Sequence, residues 1–184
     1  MDANEMFYLK RALNKFAKTV VSKAKKKKGK ESALAKSMKY ELDVTKDDFE
    51  LSFLMEDYGK FVDKGVKGEN PTGLPSGAKN YGKQNAPGSP YKFGSGKYKG
   101  NLRLRDAIGG WIIKKGIAPR DASGKFTKRR GLIFMITRSI YKSGIKPSLF
   151  FTTPFNTEFK RLPEKIKEEF ALDVTNLFKQ TTEQ

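Results

Sequence analysis

An α+β chain, with a helix at each end, a β-hairpin after the first and a long basic insert before the last, is what three patterns in this sequence predict. Apolar residues recur at helical spacing over 3–27, alternate with charged residues over 38–55, and return to helical spacing over 154–178. In the first segment Met6, Leu9, Leu13, Phe16, Val20 and Ala24 share one face, Lys10, Lys15, Lys18 and Lys23 fall on others, and Gly29 is the expected stop. Met38, Tyr40, Leu42 and Val44 then alternate with Lys39, Glu41 and Asp43. After a turn over Thr45–Asp48 the alternation resumes with Phe49, Leu51, Phe53 and Met55. A two-stranded hairpin is marginal alone, so its apolar face must cover a helix or pair with further strands in a small antiparallel sheet.

Beyond Gly65 the periodicity fades. Residues 66–100 hold repeated Gly and four prolines, Pro71, Pro75, Pro87 and Pro90, which reads as an extended loop, disordered alone or ordered by a partner. A short helix follows, with Leu104, Ile108, Trp111 and Ile112 on one face and Gly116 as its stop. Trp111 is read as a core anchor rather than a ligand-stacking ring. Thr127 is a candidate cap for a second helix, which carries Leu132, Ile133, Ile136 and Ile140 and closes at Gly144. Pro154 suits the first turn of a helix after Thr153, and Pro163 the start of the next, with Ile166, Phe170, Val174 and Leu177 as its stripe. The organisation expected is a single domain over 1–184, with 1–65 and 145–178 as core scaffold and 66–144 as an insert for assembly contacts.

At 184 residues the chain is long enough for a core that removes roughly 70% of the unfolded surface from water. No apolar run approaches the ~18 residues of a membrane span, and the lysines scattered among the first apolar positions interrupt any signal-peptide core, so synthesis in the cytoplasm is expected. Cys and His are both absent, which removes thiolate nucleophiles, disulfides, Cys/His zinc sites and His-based triads. Asp47 and Asp48 read as turn chemistry rather than a metal site. The run Gly94-Ser-Gly-Lys-Tyr-Lys-Gly100 matches neither the dinucleotide nor the Walker spacing. No constellation for catalysis emerges and no cofactor is called for.

Charge is the next constraint. The chain carries 38 Lys and Arg against 20 Asp and Glu, a net +18, and its distribution is uneven. The first helix and the middle insert are strongly positive, whereas the hairpin region and C-terminal helix are not. Basic residues interleaved with Tyr81, Tyr91, Phe93 and Tyr98 suit contact with a phosphate backbone, and suit an acidic protein neighbour equally. Candidates for either partner are Lys25, Lys26, Lys27, Lys28, Lys97, Lys99, Arg103, Arg105, Lys128, Arg129 and Arg130. The bland alternative for Lys25–Lys28 is a solvated helix end whose cations favour the C-terminal dipole.

Two segments carry a resemblance. Leu54-Met-Glu-Asp-Tyr-Gly-Lys-Phe-Val-Asp-Lys-Gly65 places Tyr58, Phe61 and Val62 on one side of a short helix stopped by Gly65. Ile145-Lys-Pro-Ser-Leu-Phe-Phe-Thr-Thr-Pro-Phe155 runs from an extended aromatic piece into a helix start at Pro154. Together, and in this order after a helix and a hairpin, they resemble the phage tail-component or tail-completion family of the head–tail junction, over about residues 3–178. The insert of 66–144 is longer than that family usually carries. The resemblance implies a small α+β virion protein without catalytic activity that forms a homo-oligomeric ring against portal, neck or tail proteins, with Tyr58, Phe61, Gly65, Pro147, Phe150, Phe151, Pro154 and Phe155 as its packing and assembly residues. Three function classes therefore stand at this stage: a virion structural protein, a sequence-independent nucleic-acid-binding protein near or apart from packaged DNA, and an enzyme, the last without residues to support it. None of the standard nucleic-acid recognition signatures is present.

Overall fold

The computed structural model describes residues 7–45, 48–93 and 104–182, with side chains to 175. It is α+β, as expected. The elements run α1 (Phe7–Lys28), α2 (Ala33–Ser37), β1 (Lys39–Val44), β2 (Phe49–Leu54), α3 (Gly59–Lys64), β3 (Val66–Lys67), a 3₁₀ turn (Pro71–Gly73), α4 (Leu104–Lys114), α5 (Arg129–Ser143), β4 (Gly144–Ile145), α6 (Thr152–Phe159) and α7 (Leu162–Thr182). Two compact units result, one of residues 1–59 with 149–184 and one of 60–148. These boundaries fall a few residues away from 65 and 145, where composition changes.

The first unit is built on α1. Leu9, Phe16, Val20 and Ala24 are buried as the spacing predicts, joined by Ala12, Ala17 and Val21, while Met6 lies outside the described residues. Gly29, at φ +94°, ends the helix with its N–H on Lys25 O. Ser32 then caps α2 by accepting from Ala35 N at 3.2 Å. Strands β1 and β2 pair antiparallel in the register Tyr40 with Phe53, Leu42 with Leu51 and Val44 with Phe49. The other face of the ribbon sets Asp43 opposite Glu50. Thr45 and Asp48 close the turn through main-chain and hydroxyl hydrogen bonds.

The apolar face of the hairpin meets rings. Phe53 of β2 lies edge-on to Phe16 of α1 at 6.2 Å, to Phe151 at 5.3 Å and to Phe155 at 5.9 Å. Phe16, Val20 and Leu162 form the buried centre of this cluster, with Leu13, Leu51 and Ile166 packed around it. Each such side chain contributes about 1.5–3 kcal/mol by leaving water, and edge-to-face rings add about 0.5–1.5 kcal/mol per pair.

The helical segment expected over 154–178 divides into two helices, with Pro154 and Pro163 in their first turns as the sequence indicates. The break at Lys160–Arg161 precedes Pro163, which cannot donate to the preceding turn and so sits in the first turn of α7. Leu177 falls outside the described side chains.

The second unit corrects a larger expectation. Residues 66–93 are irregular but internally bonded, through main-chain bonds of Lys67 with Tyr91 and Phe93 and through amide and hydroxyl side chains. Gln84 pairs both ways with Gly68, accepting its N–H at 2.8 Å and donating to its carbonyl at 3.2 Å. Asn85 donates to Gly144 O through Nδ2 and to Ser143 O through its backbone, and Ser89 donates to Gly65 O at 2.8 Å. Strands β3 and β4 join the two ends of this unit, Val66 opposite Ile145 and Lys67 opposite Gly144. Gly144 has φ +85°, and a Cβ there would fall against Val66 O. Glycine is required.

Candidate interaction surface

Within the second unit, α4 and α5 form a helical hairpin that buries Ile112 completely. Trp111 is not the core anchor expected. It is 46% exposed, as are Ile113, Phe134 and Met135 to a greater degree, because α4 turns only its Ile112 side fully inward. Thr127 does not cap α5 either. Lys128 occupies the cap position without a side-chain bond, and the Thr127 N–H is taken by Pro119 O. Gly116 and Gly144 end the two helices with positive φ, where the sequence places the stops.

The connection between the helices folds on itself. Arg120 bridges Phe126 in antiparallel fashion, Asp121 N donates to Lys125 O at 2.9 Å, and Gly124 N donates to Asp121 O at 3.0 Å. The Arg120 guanidinium lies 3.7 Å from the Phe126 ring centroid and donates to Gly124 O at 2.8 Å. Asp121 accepts from Ser123 Oγ at 2.7 Å, Ser123 N at 3.0 Å and Lys125 N at 2.9 Å. These bonds, led by the Ser123 hydroxyl, hold its carboxyl below the usual aspartate range.

The basic candidates divide by environment. Arg105, Lys128, Arg129 and Arg130 are exposed on α4 and at the start of α5. Lys97, Lys99 and Arg103 lie outside the described residues. The run Lys25–Lys28 is only partly a free surface. Lys27 donates to Leu149 O at 2.8 Å and to Thr153 Oγ1 at 3.1 Å, and Lys28 Nζ lies 5.8 Å from the Phe150 ring centroid. Those two cations hold the end of α1 to the start of α6, and Lys25 is half-buried while Lys26 is exposed. Of the chain's +18, the second unit holds +16, from 20 Lys and Arg against 4 Asp and Glu.

The packing candidates also divide. Phe150 and Pro154 are buried in the first unit, with Phe151 and Phe155 in its ring cluster, while Tyr58, just before α3, is 44% exposed. In the second unit Phe61 meets Tyr91 edge-on at 4.7 Å. Gly65 has φ +71°, and a Cβ there would press on Ile145 O and sit 2.8 Å from Pro147 N. Ser148 donates to Val62 O twice, from N at 3.1 Å and Oγ at 2.7 Å.

Two buried acids in the first unit escape a reading by spacing alone. Asp173 of α7, 2% exposed, accepts from Tyr8 N at 3.0 Å and Leu9 N at 2.9 Å, satisfying the first turn of α1. Its signal is an acid seven residues after Ile166 and three after Phe170, on the apolar stripe. Glu158, also buried, accepts from Lys23 Nζ at 2.6 Å. That bond, opposed by desolvation, holds its carboxyl below the ordinary glutamate range.

Among the described residues no group of three or more Asp or Glu could hold a metal ion, and no helix is long and apolar enough to cross a membrane. No family model, no curated protein and no solved structure matches this chain.

Proposed function

We propose that the chain is a non-enzymatic structural protein of a tailed-phage virion, a subunit of a homo-oligomeric ring at the head–tail junction that meets portal, neck or tail proteins. The observation that carries the reading is the closure of the two resemblance-bearing segments on each other: Ser148 bonded twice to Val62 O, and Gly65 pressed on Ile145 and Pro147. That closure gives the Tyr–Gly and Pro–Phe segments a shared structural purpose, which supports reading them as one family pattern rather than two chance matches. A ring needs heterologous contacts, and the half-exposed Trp111, Ile113, Phe134 and Met135 supply apolar surface for them.

Peptide mass spectrometry of purified virions, with negative-stain microscopy of the recombinant chain mixed with its portal, tests this. Stoichiometric peptides and closed rings are expected. Absence of the chain from purified virions would refute the reading. A second reading, a sequence-independent nucleic-acid-binding protein, draws support from the +16 of the second unit.

A further inference from the structure

We propose that the tip joining α4 to α5, residues 114–130, is a binding site for the phosphate backbone of duplex DNA, without sequence preference. This rests on the second reading, whose site it names, and does not depend on the ring reading. The tip gathers Lys114 and Lys115 at the end of α4, Arg120 and Lys125 in the turn, and Lys128 to Arg130 at the start of α5, every one exposed. Against these seven cations stands one acid, Asp121, whose Oδ1 accepts from the Ser123 hydroxyl, Ser123 N–H and Lys125 N–H.

Several cations elsewhere in the chain have partners. Lys23 faces Glu158, Lys142 faces Glu69, Arg11 faces Glu169, and Lys27 holds Leu149 and Thr153. Among the described residues the tip cations form no ion pair. Like charges held this close repel one another, yet the Arg120–Phe126 bridge and the Asp121 turn keep them in one short element. The charge is thus gathered where Asp121 alone opposes it. A polyanion would neutralise it.

One observation favours nucleic acid over an acidic protein. Protein interfaces concentrate apolar and aromatic area at their centre and are depleted in Lys. From 114 to 131 the only large exposed apolar side chain is Phe126, and Arg120 covers one face of its ring. Phosphate recognition needs no apolar centre, since counterion release supplies its affinity.

The test compares three full-length proteins on two unrelated duplexes over a salt titration. The tip variant carries Lys114, Lys115, Lys125, Lys128, Arg129 and Arg130 each→Ser, retaining Arg120 to keep the turn. The control carries Lys10, Lys15, Lys18, Lys30, Lys160 and Lys167 each→Ser, so that both lose the same charge, and matching circular dichroism melts establish that both fold. Wild type and control should bind both duplexes alike, with log K against log salt falling at a slope of about −4.5 to −6.3 for about five to seven phosphates neutralised. The tip variant should bind at least about 100-fold more weakly at 50 mM salt, with a slope shallower than −2. Equal weakening in tip variant and control would make binding a property of net charge and overturn the site. Failure of wild type to bind, or displacement of duplex by poly-L-glutamate at equal charge concentration, would overturn the phosphate assignment. Ring formation, read separately by microscopy, is untouched by any of these outcomes.

Discussion

Replacing Asp173 by Ala should destabilise the first unit by about 2–4 kcal/mol, through a cap supplied from 164 residues away. The carboxylate accepts from Tyr8 N and Leu9 N, and Leu9 is itself buried. Removing the acceptor leaves at least one buried N–H unpaired, at about 1–3 kcal/mol. The lost negative charge at the start of α1 adds about 0.3–1 kcal/mol, and up to ~2 when the geometry is partly buried. Asp173→Asn keeps one acceptor oxygen but no charge, so it should fall between wild type and Ala. The assay is urea unfolding followed by far-ultraviolet circular dichroism and by the fluorescence of a Trp111→Phe variant carrying Tyr40→Trp as its single Trp, a reporter inside this unit. A loss below about 0.5 kcal/mol for Asp173→Ala would mean that water satisfies the α1 terminus, and the long-range cap would be a geometric coincidence.

Truncating Phe151 or Phe155 to Ala should each cost about 3 kcal/mol in the same assay, since both rings meet Phe53; losses under roughly 1 kcal/mol for both would place them on a surface instead. Glu158 ionises below its ordinary range in the folded protein because Lys23 donates to it, so its contribution is complete above the unfolded value of about 4.3 and is lost as pH falls through the folded value. Glu158→Gln should therefore flatten the acid limb of stability against pH, and an unchanged limb would count against the Lys23 bond. Gln84→Ala should expose 66–93 to protease at doses wild type withstands, because the paired bonds to Gly68 are lost; an unchanged digestion rate would show that the other amide contacts suffice.

Periodicity made the first unit legible. One buried face at spacing three and four, and one alternating ribbon, leave few ways to remove Phe16, Val20, Leu51 and Phe53 from water at once, and the rings meet where those patterns require. What it could not convey is which polar residues the core admits. Asp173 and Glu158 are held by groups far along the chain, Tyr8, Leu9 and Lys23, and no local rule announces such a partner. The segment 66–93 was illegible for a related reason. Much of its order comes from Gln84, Asn85 and Ser89 bonding to main chain, beside the main-chain bonds of Lys67, and in a sequence such residues look the same whether they face water or a backbone. For the basic candidates, charge could be read but engagement could not: Lys27 looks like Lys26 until Leu149 and Thr153 are placed beside it.

The segregation of charge into the second unit has no return in stability. Exposed ion pairs contribute about 0–1 kcal/mol each, so the pairs of the first unit, Lys36–Glu31 and Lys39–Glu41 among them, do little beyond balancing its charge at +2, from 18 Lys and Arg against 16 Asp and Glu. Its aromatic cluster and capped α1 carry the stability. The second unit, at +16 and with its two ends joined through β3, β4 and the main-chain contacts of Gly65 and Gly144, bears a self-repulsion that only screening or a partner relieves. Seven cations of that field lie on a turn fixed by an arginine–phenylalanine stack, and the proposed duplex, whose negative charge is dense and repeating, is a partner that would relieve the repulsion.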